Sequence, residues 1–149
     1  MTTVRFYHLQ SQNIEQALPA ILEKACEQKH RMSVQMADEK EVEHMTTHLW
    51  SYKDSSFLAH GSKKDGNADK QPIWLTHIEE NPNNSNVLIL TQGVENNTID
   101  TYDLCCEIFD GRNNEAVQSA RLKWKDYKDK GFDVTYWHQS ETGKWDKKS

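Results

Sequence analysis

A group of five residues near the end of the chain combines basic, aromatic and apolar side chains at helical spacing. Val117, Arg121, Trp124, Lys125 and Lys128 recur every three or four residues, with Lys125 beside Trp124, and so form one stripe on a helix. An arginine fork binds a carboxylate well, and a neighbouring tryptophan can contact an aromatic or apolar group. The stripe therefore indicates a surface for a partner that carries both groups. Alternatively, Trp124 lies flat beneath its basic neighbours as a covering layer, and spacing alone favours neither interpretation.

A second group of large apolar residues flanks a short polar turn. Trp50 follows His48 and Leu49, and Phe57 follows a pair of serines. Such a patch can serve as an anchor for a partner, or it can close the domain core. On the sequence pattern alone, core closure is the default interpretation.

Residue types that could support metal binding or nucleophilic catalysis lack the necessary pattern. His44 and His48 share a helix face, but no HExxH motif is present, and His60 is only a distant third candidate. Cys105 and Cys106 are adjacent on an expected strand, where they point to opposite faces and are expected to pack in the core. We therefore predict no catalytic residues, no metal and no cofactor.

Nucleotide-binding motifs are also missing from the sequence. The first expected strand is followed by His8-Leu9-Gln10-Ser11-Gln12 rather than GxGxxG. The glycines and lysines near residues 61–66 follow no strand, so they cannot be interpreted as a phosphate-binding loop.

Composition and charge limit the class of protein. The 149 residues carry a formal net charge of −5, which argues against a general nucleic-acid binder. Residues 121–149 nevertheless carry 8 basic and 5 acidic side chains, so this end could dock an acidic partner. No apolar run has the length of a membrane span, and the three cysteines form no CxxC pair. We expect a reduced, cytoplasmic protein without membrane contact.

Alternation and helical periodicity predict six strands and three helices. Strands are expected at 4–9, 32–37, 73–78, 87–91, 102–109 and 132–137, and helices at 14–30, 38–50 and 113–130.

Residues 51–71 are polar and are expected to form an exposed loop. Pro19 inside the first helix suggests a kink or a late helix start.

The order of these elements predicts the fold class. Strands that alternate with helices favour right-handed crossovers and a largely parallel sheet covered on both faces. The apolar run 87–91 fits a central strand buried on both sides. We therefore predict a single-domain, three-layer α/β/α fold that is Rossmann-like but lacks nucleotide motifs. The domain is expected to span residues 1–139 and to be followed by a polar tail, 140–149.

Several segments, taken in order, resemble one protein family over nearly the whole chain. They are Phe6-Tyr7, Cys26, Leu49-Trp50, 56–60, 86–90, Phe109-Asp110-Gly111, 120–128, Gly131-Phe132 and Tyr136-Trp137. Their order and spacing resemble the chi subunit family of bacterial DNA polymerase III, and residues 120–128 are the most specific part.

The resemblance implies an accessory, non-catalytic role in DNA replication, within an assembly that is itself a DNA-directed DNA polymerase. It implies a one-to-one complex with the psi subunit, which connects chi to the clamp loader, through Trp50 and Phe57. It also implies binding of the acidic C-terminal tail of single-stranded DNA-binding protein (SSB), which ends in phenylalanine. Contact with DNA would then be indirect.

The same resemblance implies individual roles on the stripe. Arg121 would pair with the terminal carboxylate of the tail, Trp124 would line the phenylalanine pocket, and Lys125 would meet acidic residues. A comparable member of that family has tyrosine where Trp124 stands and lysine where Val117 stands, and Lys128 could replace the missing charge. Two alternatives stay open: a motif-poor α/β nucleotide binder or enzyme, and a direct binder of single-stranded DNA.

Overall fold

The computed structural model describes residues 2–51, 60–142 and 144–148. Within these ranges the chain forms one eight-stranded sheet and three α-helices. The strands are β1 (Thr3–Leu9), β2 (Met32–Gln35), β3 (His60–Ser62), β4 (Ile73–Thr76), β5 (Val87–Thr91), β6 (Leu104–Asp110), β7 (Asp133–Gln139) and β8 (Trp145–Lys147). The helices are α1 (Ile14–Glu27), α2 (Glu39–Trp50) and α3 (Asn114–Asp129).

The sheet is parallel except at one edge. Its strand order is β3-β4-β2-β5-β6-β1-β7-β8, and among the strands described only β8 runs antiparallel to its neighbour. One core cluster joins α1 and α2 to one face of the sheet, while a second joins α3 to the other face. This arrangement confirms the predicted three-layer α/β/α fold with a largely parallel sheet.

The central strands explain how two cores share one sheet. Every residue of β5 is buried; Val87 and Ile89 belong to the α1–α2 core, and Leu88 and Leu90 to the α3 core. The adjacent cysteines divide in the same way, with Cys106 in the first core and Cys105 in the second. The alternation of side chains along a strand produces this division, and the predicted packing of both cysteines is confirmed.

Polar caps fix where the helices begin. Asn13 and Gln16 form a reciprocal capping box at α1, and the Asp38 side chain accepts a hydrogen bond from the Glu41 N–H at α2. Asn113 caps α3 in the same manner. The start of α1 at Ile14 confirms the predicted helix start, so Pro19 lies inside the helix and does not mark a late start.

Two short strands lie where the sequence predicts none. Residues 51–71 were expected to form an exposed loop, but His60–Ser62 is buried and pairs with β4. The polar tail contains β8, which pairs with β7. Both strands have only three residues, so alternation cannot identify them and the neighbouring strand determines their conformation. None of the helices described is long and apolar enough to cross a membrane.

Candidate functional site

A buried polar cluster attaches α3 to the sheet. The Lys123 ammonium lies 3.3 Å from the Glu107 carboxylate and donates to the Val94 carbonyl at 2.6 Å, and the Tyr127 hydroxyl donates to Glu107 at 2.8 Å. Burial raises the pKa of Glu107, although Lys123 and Tyr127 oppose this effect. Since Ala120 and Tyr127 are buried as well, this side of α3 is committed to packing and its other side faces outward.

The predicted stripe lies on the outer side of α3. Arg121, Lys125 and Lys128 are exposed, whereas Val117 and Trp124 are half-buried against the α3 core. The Lys128 ammonium lies 4.9 Å from the centre of the Trp124 ring, within cation–π distance. Trp124 therefore covers the core and, at the same time, forms the base of a basic surface.

Trp124 continues into a layer of aromatic rings from the sheet. Its ring meets Phe6 at 5.7 Å and Tyr136 at 5.9 Å between ring centres, both edge-to-face. Beyond Tyr136 lie three further rings: the His8 ring is 5.1 Å from that of Phe109 and 4.4 Å from that of His138. We call His8, Phe109, Tyr136 and His138 the aromatic shelf.

The sequence analysis did not identify the shelf as part of the site. Its members come from β1, β6 and β7, and the strand register aligns His8 with Phe109 and with His138. A signal was present, because Val134, Tyr136 and His138 alternate along one face of β7. Its meaning depended on the order of strands in the sheet, which the sequence pattern did not give.

Gly111 allows the shelf to close against the end of β6. A Cβ atom at this position would lie 1.9 Å from the His8 ring and 2.6 Å from the Leu9 carbonyl oxygen. The Gly111 N–H donates to that same carbonyl at 2.7 Å. Only glycine permits this approach of backbone to ring.

Arg121 on α3 affects the pKa values of two residues of the aromatic shelf, His8 and Tyr136. Burial lowers the pKa of His8, and the charges of His138 and Arg121 lower it further. Burial raises the pKa of Tyr136, an effect that Arg121 opposes. Arg121 is thus electrostatically coupled to both side chains, so an anion bound at Arg121 would also lie in the field of the shelf.

The loop after β1 is filled by the protein itself. In doubly wound folds this loop commonly binds phosphate through backbone N–H groups. Here the N–H groups of Gln10, Ser11 and Gln12 all point to Oε1 of Gln139, at 3.3, 3.2 and 3.2 Å. Gln139 is fully buried, and its amide nitrogen donates to the Gln12 side chain at 2.6 Å.

The second predicted patch is described only in part. Trp50 is the last residue of α2 and is 54% exposed, with its ring 4.3 Å from that of His60. His60 belongs to β3, which is the strand at one edge of the sheet. Phe57 lies outside the described residues. Trp50 is therefore not enclosed by the core, contrary to the default interpretation of its sequence pattern.

The histidines and cysteines considered for chemistry have structural contacts. Nε2 of His44 lies 2.6 Å from the Glu15 carboxylate, and Nε2 of His48 lies 2.7 Å from the Glu15 carbonyl oxygen, so both connect α2 to α1. Burial raises the pKa of Cys106 to about 12, so the thiol keeps its proton. Among the residues described, no three His, Cys, Asp or Glu side chains group as a metal site.

Comparison with known proteins assigns the chain to a family. The family model for the DNA polymerase III chi subunit, HolC, matches residues 1–135. The chain is also 31% identical over 90 residues to a protein of Rickettsia prowazekii (strain Madrid E) named probable DNA polymerase III subunit chi. That alignment covers 60% of this chain and 54% of the relative, which is about half of its length. The chain belongs to the DNA polymerase III chi subunit family.

Proposed function

We propose that this protein is a non-catalytic accessory subunit of the DNA polymerase III holoenzyme. It links the clamp loader, through psi, to the acidic C-terminal tail of SSB during DNA replication. The observation that carries the proposal is the surface of α3, where exposed Arg121 stands beside half-buried Trp124. Membership of the chi family supports the accessory role.

The α3 surface has the chemistry that such a tail requires. Arg121 offers a planar fork of donors to a terminal carboxylate, and the edge of Trp124 with the aromatic shelf offers apolar area to a terminal phenylalanine. Lys125 and Lys128 add exposed positive charge for acidic residues upstream in the tail. Val117 supplies an apolar contact on the same stripe.

Calorimetry with a short acidic peptide that ends in Asp-Phe or Pro-Phe tests the proposal directly. We expect saturable one-to-one binding that weakens strongly when the terminal carboxylate is amidated. Arg121→Ala should raise the Kd by about tenfold to a hundredfold, because a hydrogen-bonded charge pair is lost. Its unfolding midpoint should stay close to that of the native chain, since Arg121 is exposed.

Lys40→Gln serves as the matched control, because Lys40 is an exposed cation on α2, away from α3. Its Kd should equal that of the native protein. Equal affinity of the free and amidated peptides, or no effect of Arg121→Ala, would remove the assignment of the tail site. A reversed charge at Lys125 should also reduce the salt dependence of binding.

The proposed psi surface lies at the opposite edge of the molecule. An exposed tryptophan at the end of α2, beside edge strand β3, is the kind of residue that anchors a protein interface. Trp50→Ala should weaken the one-to-one complex with psi at least tenfold in sedimentation experiments. Leu122→Ala, which truncates another exposed apolar residue, should leave that complex intact; equal effects of both changes would contradict the proposal.

No catalytic step and no cofactor belong to this proposal. Occupation of the loop after β1 by Gln139 removes the donors that a phosphate would use at that position in the fold, which disfavours the alternative of a nucleotide enzyme built on that crevice. Contact with DNA would be made through SSB.

A further inference from the structure

An open cleft lies on the face of the sheet opposite α3. Its volume is about 570 Å³, within the usual range for small-molecule sites. The C-terminal half of α1 forms one wall, and β1, β7 and β8 form another. Val87 and Leu104, the first residues of β5 and β6, place the cleft toward the amino ends of the parallel strands.

Three aromatic side chains line this cleft. Tyr7 and Trp137 are paired in the register of β1 and β7, and Trp145 projects from β8 to meet Tyr7 edge-to-face at 5.0 Å between ring centres. All three rings are half-buried, so each keeps some open surface. Trp137 and Trp145 lie beyond the residues that the family model matches.

The polar part of the lining is basic. Arg5, Lys24 and His30 line the cleft, and none of the described residues that line it is acidic. Arg5 opposes the rise that burial causes in the pKa of Tyr7 and, in the ranges described, forms no ion pair. A half-buried guanidinium without a carboxylate is suited to an external anion.

His30 presents a donor to the same space. The Asn86 amide donates to Nδ1 of His30 at 2.8 Å, and the same amide accepts from the Arg31 N–H through its oxygen, which fixes its orientation. The neutral imidazole therefore carries its proton on Nε2, where it can donate. Lys147 is aligned with Trp137 across β7 and β8 and so shares its face of the sheet.

We propose that this cleft binds a nucleoside monophosphate group, with its base against Tyr7, Trp137 and Trp145 and its phosphate at Arg5, Lys24 and His30. Aromatic faces accept any base by stacking, and the basic lining without acidic residues matches a phosphate better than a neutral ligand. The group can be a free mononucleotide or a unit of a single strand, because both present the same base and phosphate.

This site is independent of the proposed tail-binding surface. Arg5 and Tyr7 alternate with Phe6 and His8 along β1, so the cleft and the aromatic shelf lie on opposite faces of the sheet. Val87, Leu104 and His30 place the basic part of the cleft toward the amino ends of the parallel strands, whereas doubly wound folds bind their ligands at the carboxyl ends. The inference therefore rests on the lining itself.

NMR of the tryptophan indole N–H groups, in the full-length protein, tests the proposal. Titration with adenosine monophosphate should shift the Trp137 and Trp145 signals saturably and leave Trp50, Trp74 and Trp124 unchanged. Adenosine and inorganic phosphate should each bind at least about tenfold more weakly, since each makes only one set of contacts. A tail peptide should instead affect Trp124, so the two proposals can fail separately.

Separate variants test the base-binding half and the phosphate-binding half of the site. Trp145→Ala should weaken binding about tenfold or more by removing a stacking surface, and Arg5→Gln should do the same by removing the phosphate contact. Lys24→Gln, an exposed position on α1, provides a phosphate-side variant that should fold normally. Lys40→Gln is the control and should bind as the native protein does.

A comparison of ligands shows whether the cleft binds a free mononucleotide or a unit of a single strand, and it also gives the results that would contradict the proposed site. Tighter binding of a short oligo(dA) than of adenosine monophosphate would assign the cleft to a single strand, and equal or weaker binding would assign it to a free mononucleotide. Phenylacetate that binds as well as adenosine monophosphate would overturn the choice of ligand. The proposed site would be contradicted if the Trp137 and Trp145 signals stayed unshifted with every probe. It would also be contradicted if the shifts were the same in the variants Arg5→Gln, Lys24→Gln and Trp145→Ala as in the native protein.

Discussion

The α3 surface and the cleft beneath α1 use the same residue types in opposite arrangements. On the α3 side, Phe6, Trp124 and Tyr136 pack against one another and the basic side chains lie outside them. In the cleft, Tyr7, Trp137 and Trp145 border open space with basic groups around it. Aromatics packed beneath exposed cations give a firm, shallow surface for the end of a peptide, whereas aromatics that line an open cleft give a concavity for a small planar group.

The two surfaces also differ in what holds them. A buried ion pair and a tyrosine hydroxyl attach α3 to the sheet, while the outer wall of the cleft depends on a three-residue antiparallel strand at the sheet edge. Changes on the α3 side should therefore disturb the α3 surface and leave the cleft unchanged. The cleft then serves as an internal control. The following experiments test that separation.

Loss of Lys123 should have the largest effect. Lys123→Met leaves the Glu107 carboxylate, whose side chain is 7% exposed, without its cation. Removal of one partner of a buried pair costs about 3–5 kcal/mol. Chemical denaturation should show this loss, and the double variant Lys123→Met/Glu107→Gln should recover part of it. Hydrogen exchange should accelerate in α3 and stay unchanged in β8; a single variant as stable as the native chain would contradict the role of the pair.

A methyl group at Gly111 should have the next largest effect. Gly111→Ala forces the His8 ring and the Leu9 carbonyl to move, which should cost about 1–3 kcal/mol of unfolding free energy. Gly61→Ala is the matched control, because its Cβ would meet only the flexible end of Gln71, at 2.8 Å. The Trp124 indole signal should shift in Gly111→Ala more than that of Trp145. A smaller loss for Gly111→Ala than for Gly61→Ala would argue against close packing at the shelf.

The electrostatic link between α3 and the shelf should give the smallest effect. Since burial, His138 and Arg121 lower the pKa of His8, Arg121→Gln should raise it, and an NMR titration of the His8 ring measures this change. The unfolded chain binds the His8 proton more tightly, so stability should fall as pH falls through about 6.5 toward the folded pKa. An unchanged or lower pKa in Arg121→Gln, with Lys40→Gln as the control, would show that the two groups are not coupled.

Much of the fold could be predicted because local patterns determine it. Helical periodicity and the caps at Asp38 and Asn113 gave the positions of α2 and α3, and the apolar run 87–91 gave the central strand. The error at β3 arose because His60-Gly61-Ser62 has no strand signal and is extended only through its pairing with β4. The stripe on α3 was predictable as a set of neighbours, but not the fact that Trp124 belongs to both the core and the surface.

The sequence by itself determined the elements, the α/β class, the α3 stripe and the resemblance to the chi family, since each depends on residues close together in the chain or on their order. Tertiary structure decided the aromatic shelf, the filling of the loop after β1 by Gln139, and the cleft. Each of these depends on strand order and register, which bring together residues from distant parts of the chain, such as Tyr7 with Trp145 and Gln12 with Gln139. Such contacts follow from long-range pairing in the sheet, and no local pattern specifies them.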